Sequence, residues 1–230
     1  MKNIIRWTIG NTSKQGLNCL KTSIKNIIKL YEKEFKYYLC YNNIDVNKIK
    51  WIYDFPISLV NQEKHLKSLS LIPTNNPCWK LYPPRLDINS YEIFLDNDLI
   101  LYKKINLNEI INKNIFFISQ AIEKSYGSLQ NNINLNVNLN SGFFGVPPGF
   151  DFQKEIELII KKFNIEWKNS HFEEQAVVAY IINKNKYELI NLEKIYICKD
   201  KIKQSDYGLH FVGVNKGNDK FWKTYKMKIL

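Results

Sequence analysis

The opening of the chain constrains the fold more than anything that follows it. Asn3-Ile-Ile-Arg-Trp-Thr-Ile9 is rich in β-branched and aromatic residues and stops at Gly10-Asn11-Thr12-Ser13, a turn of small polar residues. From Leu17 to Tyr31 the apolar positions Leu17, Leu20, Ile24, Ile27, Ile28 and Tyr31 recur at three- and four-residue steps, with Lys21, Lys25 and Lys29 off the stripe. A second strand is expected over Phe35–Tyr41 and a third over Trp51–Phe55. Strand, turn, helix and strand open a parallel sheet, in which the loops after the carboxyl ends of the strands bind ligand. Gly10 to Lys14 is therefore a candidate nucleotide loop.

Further along, Pro73, Pro77, Pro83 and Pro84 break the chain into turns and short helical pieces. A strand is expected over Tyr91–Leu95 and another over Leu99–Tyr102. Asn131 to Asn140 alternates Asn with apolar residues, a period of two that suits a half-exposed strand, while its low complexity also suits a loop. Helices are expected over Phe152–Phe163 and Glu173–Ile182, and Pro147-Pro148-Gly149 is the linker-like stretch. At 230 residues, 45% hydrophobic and 24% charged, the chain reads as one α/β domain over residues 1–230 rather than a disordered or fibrous protein.

Several function classes recede on the same grounds. No apolar run reaches the roughly 18 residues of a membrane span, and Met1-Lys2-Asn3-Ile4-Ile5 meets Arg6 before a signal-peptide core forms, so a cytoplasmic location is expected. Cys19, Cys40, Cys78 and Cys198 lie far apart, which signals buried thiols and neither a zinc site nor a disulfide framework. The net charge of +11 is uneven: residues 1–50 carry ten Lys/Arg against three acids, residues 194–230 nine against three, and the middle fourteen against sixteen. An acidic middle can host a cation. The basic ends then suit a diphosphate or the inner face of an anionic membrane better than nucleic acid. The tail 218–230, with Lys220, Lys223, Lys226 and Lys228 among Phe221, Trp222 and Tyr225, is either a membrane-facing segment, giving peripheral contact, or a closing element packed on the core.

The strongest chemical signal is Asp96-Asn97-Asp98 between Phe94-Leu95 and Leu99-Ile100-Leu101. Two carboxylates one residue apart, flanked by apolar strand, are costly unless a cation offsets them, and hard oxygen ligands suit Mn²⁺ or Mg²⁺. The same tripeptide also suits a polar turn. His210, in Leu209-His210-Phe211-Val212-Gly213, offers a third ligand from far along the chain, Gly213 allows a close backbone approach, and Lys216 supplies a point charge for a diphosphate. A lone histidine is also a common core residue.

In their order, these motifs resemble glycosyltransferases of the GT-A fold, most closely the retaining galactosyl- and glucosyltransferases related to glycogenin and to bacterial lipopolysaccharide transferases. Trp7-Thr8-Ile9-Gly10 is similar to that group's nucleotide strand, Asp96-Asn97-Asp98 to its metal motif, and Asn140-Ser141-Gly142-Phe143-Phe144-Gly145 to its Asn-small-Gly strand. Glu174-Gln175 resembles its acidic-Gln pair, and His210-Phe211-Val212-Gly213 with Lys216 its His-Phe-x-Gly-x-x-Lys motif. Lys216-Gly217 stands where the group has Lys-Pro-Trp, and Trp222 arrives five residues late.

The resemblance implies a mixed, mostly parallel sheet flanked by helices in one Rossmann-like nucleotide-sugar domain. It implies Mn²⁺ or Mg²⁺ on Asp96, Asp98 and His210, and a nucleotide-sugar donor, UDP-linked, held by Thr8, Ile9, Gly10, Asp96 near the ribose, Asn97, Gly213 and Lys216. Asn140 and Glu174 would bind sugar hydroxyls, with Gln175 close to the anomeric carbon and Glu174 and Gln175 as the catalytic pair. The basic residue that the group carries upstream of its metal motif falls on Lys80 or Arg85, because Pro83-Pro84 disturbs the spacing; Arg85 is assigned that place. The acceptor would be a glycan or a lipid-linked sugar. A sugar-phosphate nucleotidyltransferase of related fold would need a glycine-rich loop with an early Arg, and Gly10–Gly16 holds two glycines and no Arg. The basic ends and the aromatic content also admit a nucleic-acid-binding protein, and the fold admits a non-catalytic relative that serves as an interaction module.

Overall fold

The computed structural model describes residues 2–64, 76–167, 171–217 and 220–229, the side chains of 76–77 and 226–229 excepted. Pro73, Asn218, Asp219 and Leu230, on which some expectations rest, lie outside these residues, as do the side chains of Lys226 and Lys228. Strand β1 (Ile4–Ile9) runs into helix α1 (Lys14–Tyr31), which starts where the Ser13 hydroxyl accepts from the Gly16 amide. Leu20, Ile24, Ile27 and Tyr31 are buried and Lys21, Lys25 and Lys29 exposed, as the periodicity predicts. Strand β2 (Lys36–Tyr41) lies parallel to β1.

The third strand is not where the apolar run put it. Val46–Asp54 is a 3-10 helix in which Ile49 and Ile52, three residues apart, are buried while Tyr53 and Asp54 face solvent. The strand is β3 (Ile57–Asn61), just after Pro56. Strands β4 (Glu92–Leu95) and β5 (Leu99–Leu101), helix α2 (Leu107–Asn112), strand β6 (Phe116–Gln120), strand β7 (Leu139–Val146), helices α3 (Phe152–Phe163) and α4 (His171–Asn183) and strand β8 (Tyr187–Ile190) follow. The Asn-rich stretch is a loop up to Asn138, because its alternating apolar residues meet no partner strand before Leu139.

The main sheet has the order β3-β2-β1-β4-β7-β6-β8. Only β7 runs against its neighbours; the other pairings are parallel, giving the expected mixed, mostly parallel sheet. Its centre is buried on both faces, so alternate residues feed two cores. Ile93, Leu95 and Phe143 join Leu20, Ile24 and Ile27 of α1, while Phe94, Phe144 and Val146 join Phe152 and Ile156 of α3 and Val177, Val178 and Ile181 of α4.

A second, three-stranded sheet has the order β5-β10-β9, with β9 (Ile195–Ile197) and β10 (Gly208–His210). The chain leaves the main sheet at Asp96 and enters the small one at Leu99, and α1 caps the free edge there: Ser23 donates to Leu99 O at 2.6 Å and Asn26 to Leu101 O at 2.9 Å. Helix α5 (Lys220–Ile229) closes the chain. Trp222 is buried against Phe211 at 5.5 Å between ring centroids, with Phe221 and Tyr225 partly buried beside it, the packing expected of a closing element. Among the described residues no helix is long and apolar enough to cross a membrane. All four cysteines are free and buried, as expected.

Candidate functional site

Strand pairing builds the site. Asp96 sits at the carboxyl end of β4, its amide bonded to Gly142 O at 2.8 Å, and Leu99 N donates to Asp96 O at 3.2 Å, closing a tight turn around Asn97 and Asp98. Antiparallel pairing of β5 with β10 sets His210 opposite Leu99, and Phe211 N bonds Asp98 O at 2.9 Å. His210 is therefore delivered beside Asp98 across 112 positions of sequence. Its Nε2 lies 3.1 Å from Asp98 Oδ1 and 3.5 Å from Asp96 Oδ2, and one ligand atom from each of the three residues falls within 4.8 Å of the others.

Gly142 makes room for the imidazole. A Cβ there would fall 2.3 Å from His210 Cε1 and 2.7 Å from Asn140 Oδ1, so this glycine is required by close approach. Burial alone would depress the His210 pKa, but Asp98 and Asp96 outweigh it and raise it to about 9. Burial would raise the Asp96 carboxyl, yet Lys80 and His210 hold it well below the usual carboxylate range.

Of the two upstream cations, it is Lys80 that reaches the Asp96 cluster, and Arg85 does not. Lys80 Nζ lies 2.6 Å from Asp96 Oδ1 and 3.4 Å from Glu174 Oε2, and donates to Ser141 O at 3.2 Å. The guanidinium of Arg85 is turned away to Glu92, Ser90 O, Pro147 O and Phe150 O. There it shares the fully buried Glu92 with the fully buried Arg6, which also binds Pro83 O and Tyr82 O. Sequence distance could not separate the two, because each cation sits in an apolar setting and finds a buried acid. Gln62 supports the turn around Lys80 by donating to Trp79 O and Tyr82 O.

Glu174 and Gln175 lie in the first turns of α4. Glu174 Oε2 meets Lys80 and Ser141 Oγ, while Oε1 is buried with no hydrogen-bond partner. Burial, opposed by Lys80, pushes its carboxyl up to about 7. Asn140 donates to Gln175 Oε1 at 2.9 Å and Gln175 donates to Ser125 O at 2.8 Å. Asp96, Asp98, His210, Glu174, Asn140 and Gln175 are thus gathered into one polar cluster, linked through Lys80, Ser141 and Gly142.

Thr8 and Ile9 end β1, two strands from the β7 segment that carries Asn140, with Ile9 buried, and Gly10 follows, close to the Asn42 side chain. Gly213, with φ 89°, starts a 3-10 turn over Val214–Lys216 that leaves Lys216 exposed. Burial, then Lys216 and Lys80, hold the His171 imidazole at the start of α4 below its ordinary range. Asn97 lies between the two carboxylates. Both ends of its amide are engaged by Asn215, a residue that neither periodicity nor motif singles out.

No protein-family sequence profile matches the chain, and no curated protein sequence matches it. Solved structures do. The galactosyltransferase LgtC, determined with donor and acceptor sugar analogues, is 12% identical with a TM-score of 0.61, covering 96% of this chain and 94% of that one. Mouse xyloside xylosyltransferase 1 in its apo form is 8% identical with a TM-score of 0.64, covering 94% and 99%. The apo glycosyltransferase GlyE of Streptococcus pneumoniae is 12% identical with a TM-score of 0.54, and matches all of this chain but 52% of its own. The chain has the GT-A type fold of these proteins.

Proposed function

We propose that the chain is a divalent-metal-dependent glycosyltransferase that moves a hexose from a UDP-linked donor to a glycan or lipid-linked acceptor. The observation that carries this reading is the Asp96–Asp98–His210 cluster at the carboxyl end of a central strand in a GT-A type sheet. Two carboxylates and an imidazole form a donor set suited to Mn²⁺ or Mg²⁺, and Gly142 leaves the imidazole the space to join them. When bound, such an ion supplies Lewis-acid stabilisation to the leaving nucleoside diphosphate.

The chain's own residues do the rest. His210 gives up a proton to act as a ligand. Lys80 keeps Asp96 and Glu174 compensated and presents positive charge to the donor. The unpartnered Glu174 Oε1 accepts a sugar hydroxyl, since a buried acceptor without a partner is costly until a ligand supplies one. Asn140 and Gln175 brace one another near the transferred sugar, Gln175 nearer the anomeric carbon of a reaction that retains configuration. Thr8, Ile9, Gly10, Gly213 and Lys216 border the nucleotide and diphosphate.

A thermal-shift panel of UDP, GDP, CDP and ADP with and without Mn²⁺ tests the reading, because a ligand that binds only the folded state raises its stability by mass action. One nucleotide should stabilise the protein in the presence of Mn²⁺ alone, and Asp98→Ala should erase that shift while remaining folded. Stabilisation by nucleotide that ignores Mn²⁺, or turnover that persists in EDTA, would sink the metal-dependent reading.

A further inference from the structure

We infer that Asn97 and Asn215 form an amide latch that joins the Asp96–Asp98 turn, the Phe211–Gly217 segment and the β1–α1 loop into one donor-binding unit. Asn97 is a positioning residue there, not a donor ligand. The inference rests on the transferase reading for its functional meaning.

The two amides bond each other reciprocally, Asn97 Nδ2 to Asn215 Oδ1 at 2.7 Å and Asn215 Nδ2 to Asn97 Oδ1 at 2.9 Å. A paired, two-bond contact sets orientation as well as distance, and Asn97 is buried, so it loses its partners at a cost. Asn215 Oδ1 also accepts from Thr12 Oγ1 at 2.7 Å, and Ser13 Oγ donates to Val214 O at 2.9 Å. Ser13 is at the same time the N-cap of α1.

The first turn of α1 is shaped for this contact. A Cβ on Gly16 would fall 2.5 Å from Asn215 Oδ1 and 2.2 Å from Thr12 Oγ1, so a side chain at 16 would expel the amide. The segment carrying Asn215 is bounded by Gly213 and Gly217, with φ of 89° and 87°, conformations that glycine adopts without strain. Asn97 lies between Asp96 and Asp98, and Asn215 lies beside Lys216. The latch therefore ties a carboxylate turn, a cation and the loop after β1 to one geometry, and supports metal ligands from outside the ligand set.

Asn97→Ala, Asn215→Ala and the double variant test it, with Thr12→Val as a milder change that deletes a single hydroxyl. Hydrogen exchange by mass spectrometry should quicken in residues 11–16 and 211–217 together in either single variant. Mn²⁺-dependent UDP affinity should fall about tenfold in each, and no further in the double variant, because both remove one shared contact. Faster exchange confined to the mutated loop, or additive affinity losses, would overturn the latch. Failure of the wild-type protein to bind Mn²⁺ or UDP would refute the transferase reading instead, while the exchange pattern still decides the latch.

Discussion

Gly142→Ala isolates the geometry on which the site depends. Gly142 lies within β7 and is not among the glycines at positive φ, so alanine meets no backbone penalty and acts through its methyl group alone. That methyl would stand 2.3 Å from His210 Cε1, where carbon atoms need about 3.5 Å, so the ring must retreat by about 1.2 Å. Coordination tolerates shifts of about 0.2 Å, and a displacement of that size removes the imidazole as a ligand.

Two magnitudes follow. Mn²⁺ affinity should fall between about tenfold and a hundredfold, and overpacking should cost about 1–3 kcal/mol of stability. Electron paramagnetic resonance of free Mn²⁺ measures the first and urea denaturation the second. His210→Ala removes the ring that the methyl strikes, so Gly142→Ala/His210→Ala should bind Mn²⁺ as His210→Ala does. Wild-type Mn²⁺ affinity in Gly142→Ala, or independent losses that add in the double variant, would refute the reasoning.

Lys80→Met strips Glu174 of its cation and leaves Asp96 only His210; because Asp96 is 26% exposed, the loss should be about 2 kcal/mol at pH 8 rather than the larger figure for a fully buried pair. A carboxyl raised in the folded state favours folding below its unfolded pKa and loses that contribution as pH rises through its folded value, here about 7 for Glu174. Urea denaturation should therefore find a smaller loss at pH 5, and equal losses at both pH values would contradict the assignment. For His210, raised to about 9, stabilisation without metal is complete below the unfolded value near 6.5 and disappears as pH rises through about 9. Mn²⁺ must displace that proton, so its affinity should climb about tenfold per pH unit up to about 9, a slope that calorimetry should find missing in His210→Ala. Trp222→Ala should cost about 3 kcal/mol in urea denaturation, and a loss below about 1 kcal/mol would mean that α5 does not dock as described.

Where a local period was long enough, the structure follows it. The stripe from Leu17 to Tyr31 became α1, with one further turn at its start, and Phe152–Phe163 became α3 with the expected bounds. Short apolar runs carried less information. Trp51–Phe55 suits a strand or a 3-10 turn equally, and only the burial of Ile49 and Ile52 at a spacing of three distinguishes them. The Asn-rich alternation had the right period but no partner strand. Lys80 and Arg85 were inseparable by distance along the chain, because the choice depends on which acid lies within reach of each.

Local pattern along the chain was enough for the βαβ opening and the carboxylates at the end of an apolar strand, since each is a matter of periodicity, burial cost or turn chemistry, while Gly142 was picked out by the family resemblance. How they meet was left to tertiary pairing. The chain leaves the main sheet after Asp96, β5 pairs with β10 in one register, and that register sets His210 opposite Leu99 and within 3.1 Å of Asp98 Oδ1. A slip of one residue would turn the imidazole to the other face of the small sheet. Strand pairing depends on hydrogen bonds between segments far apart in the chain, which no local pattern encodes.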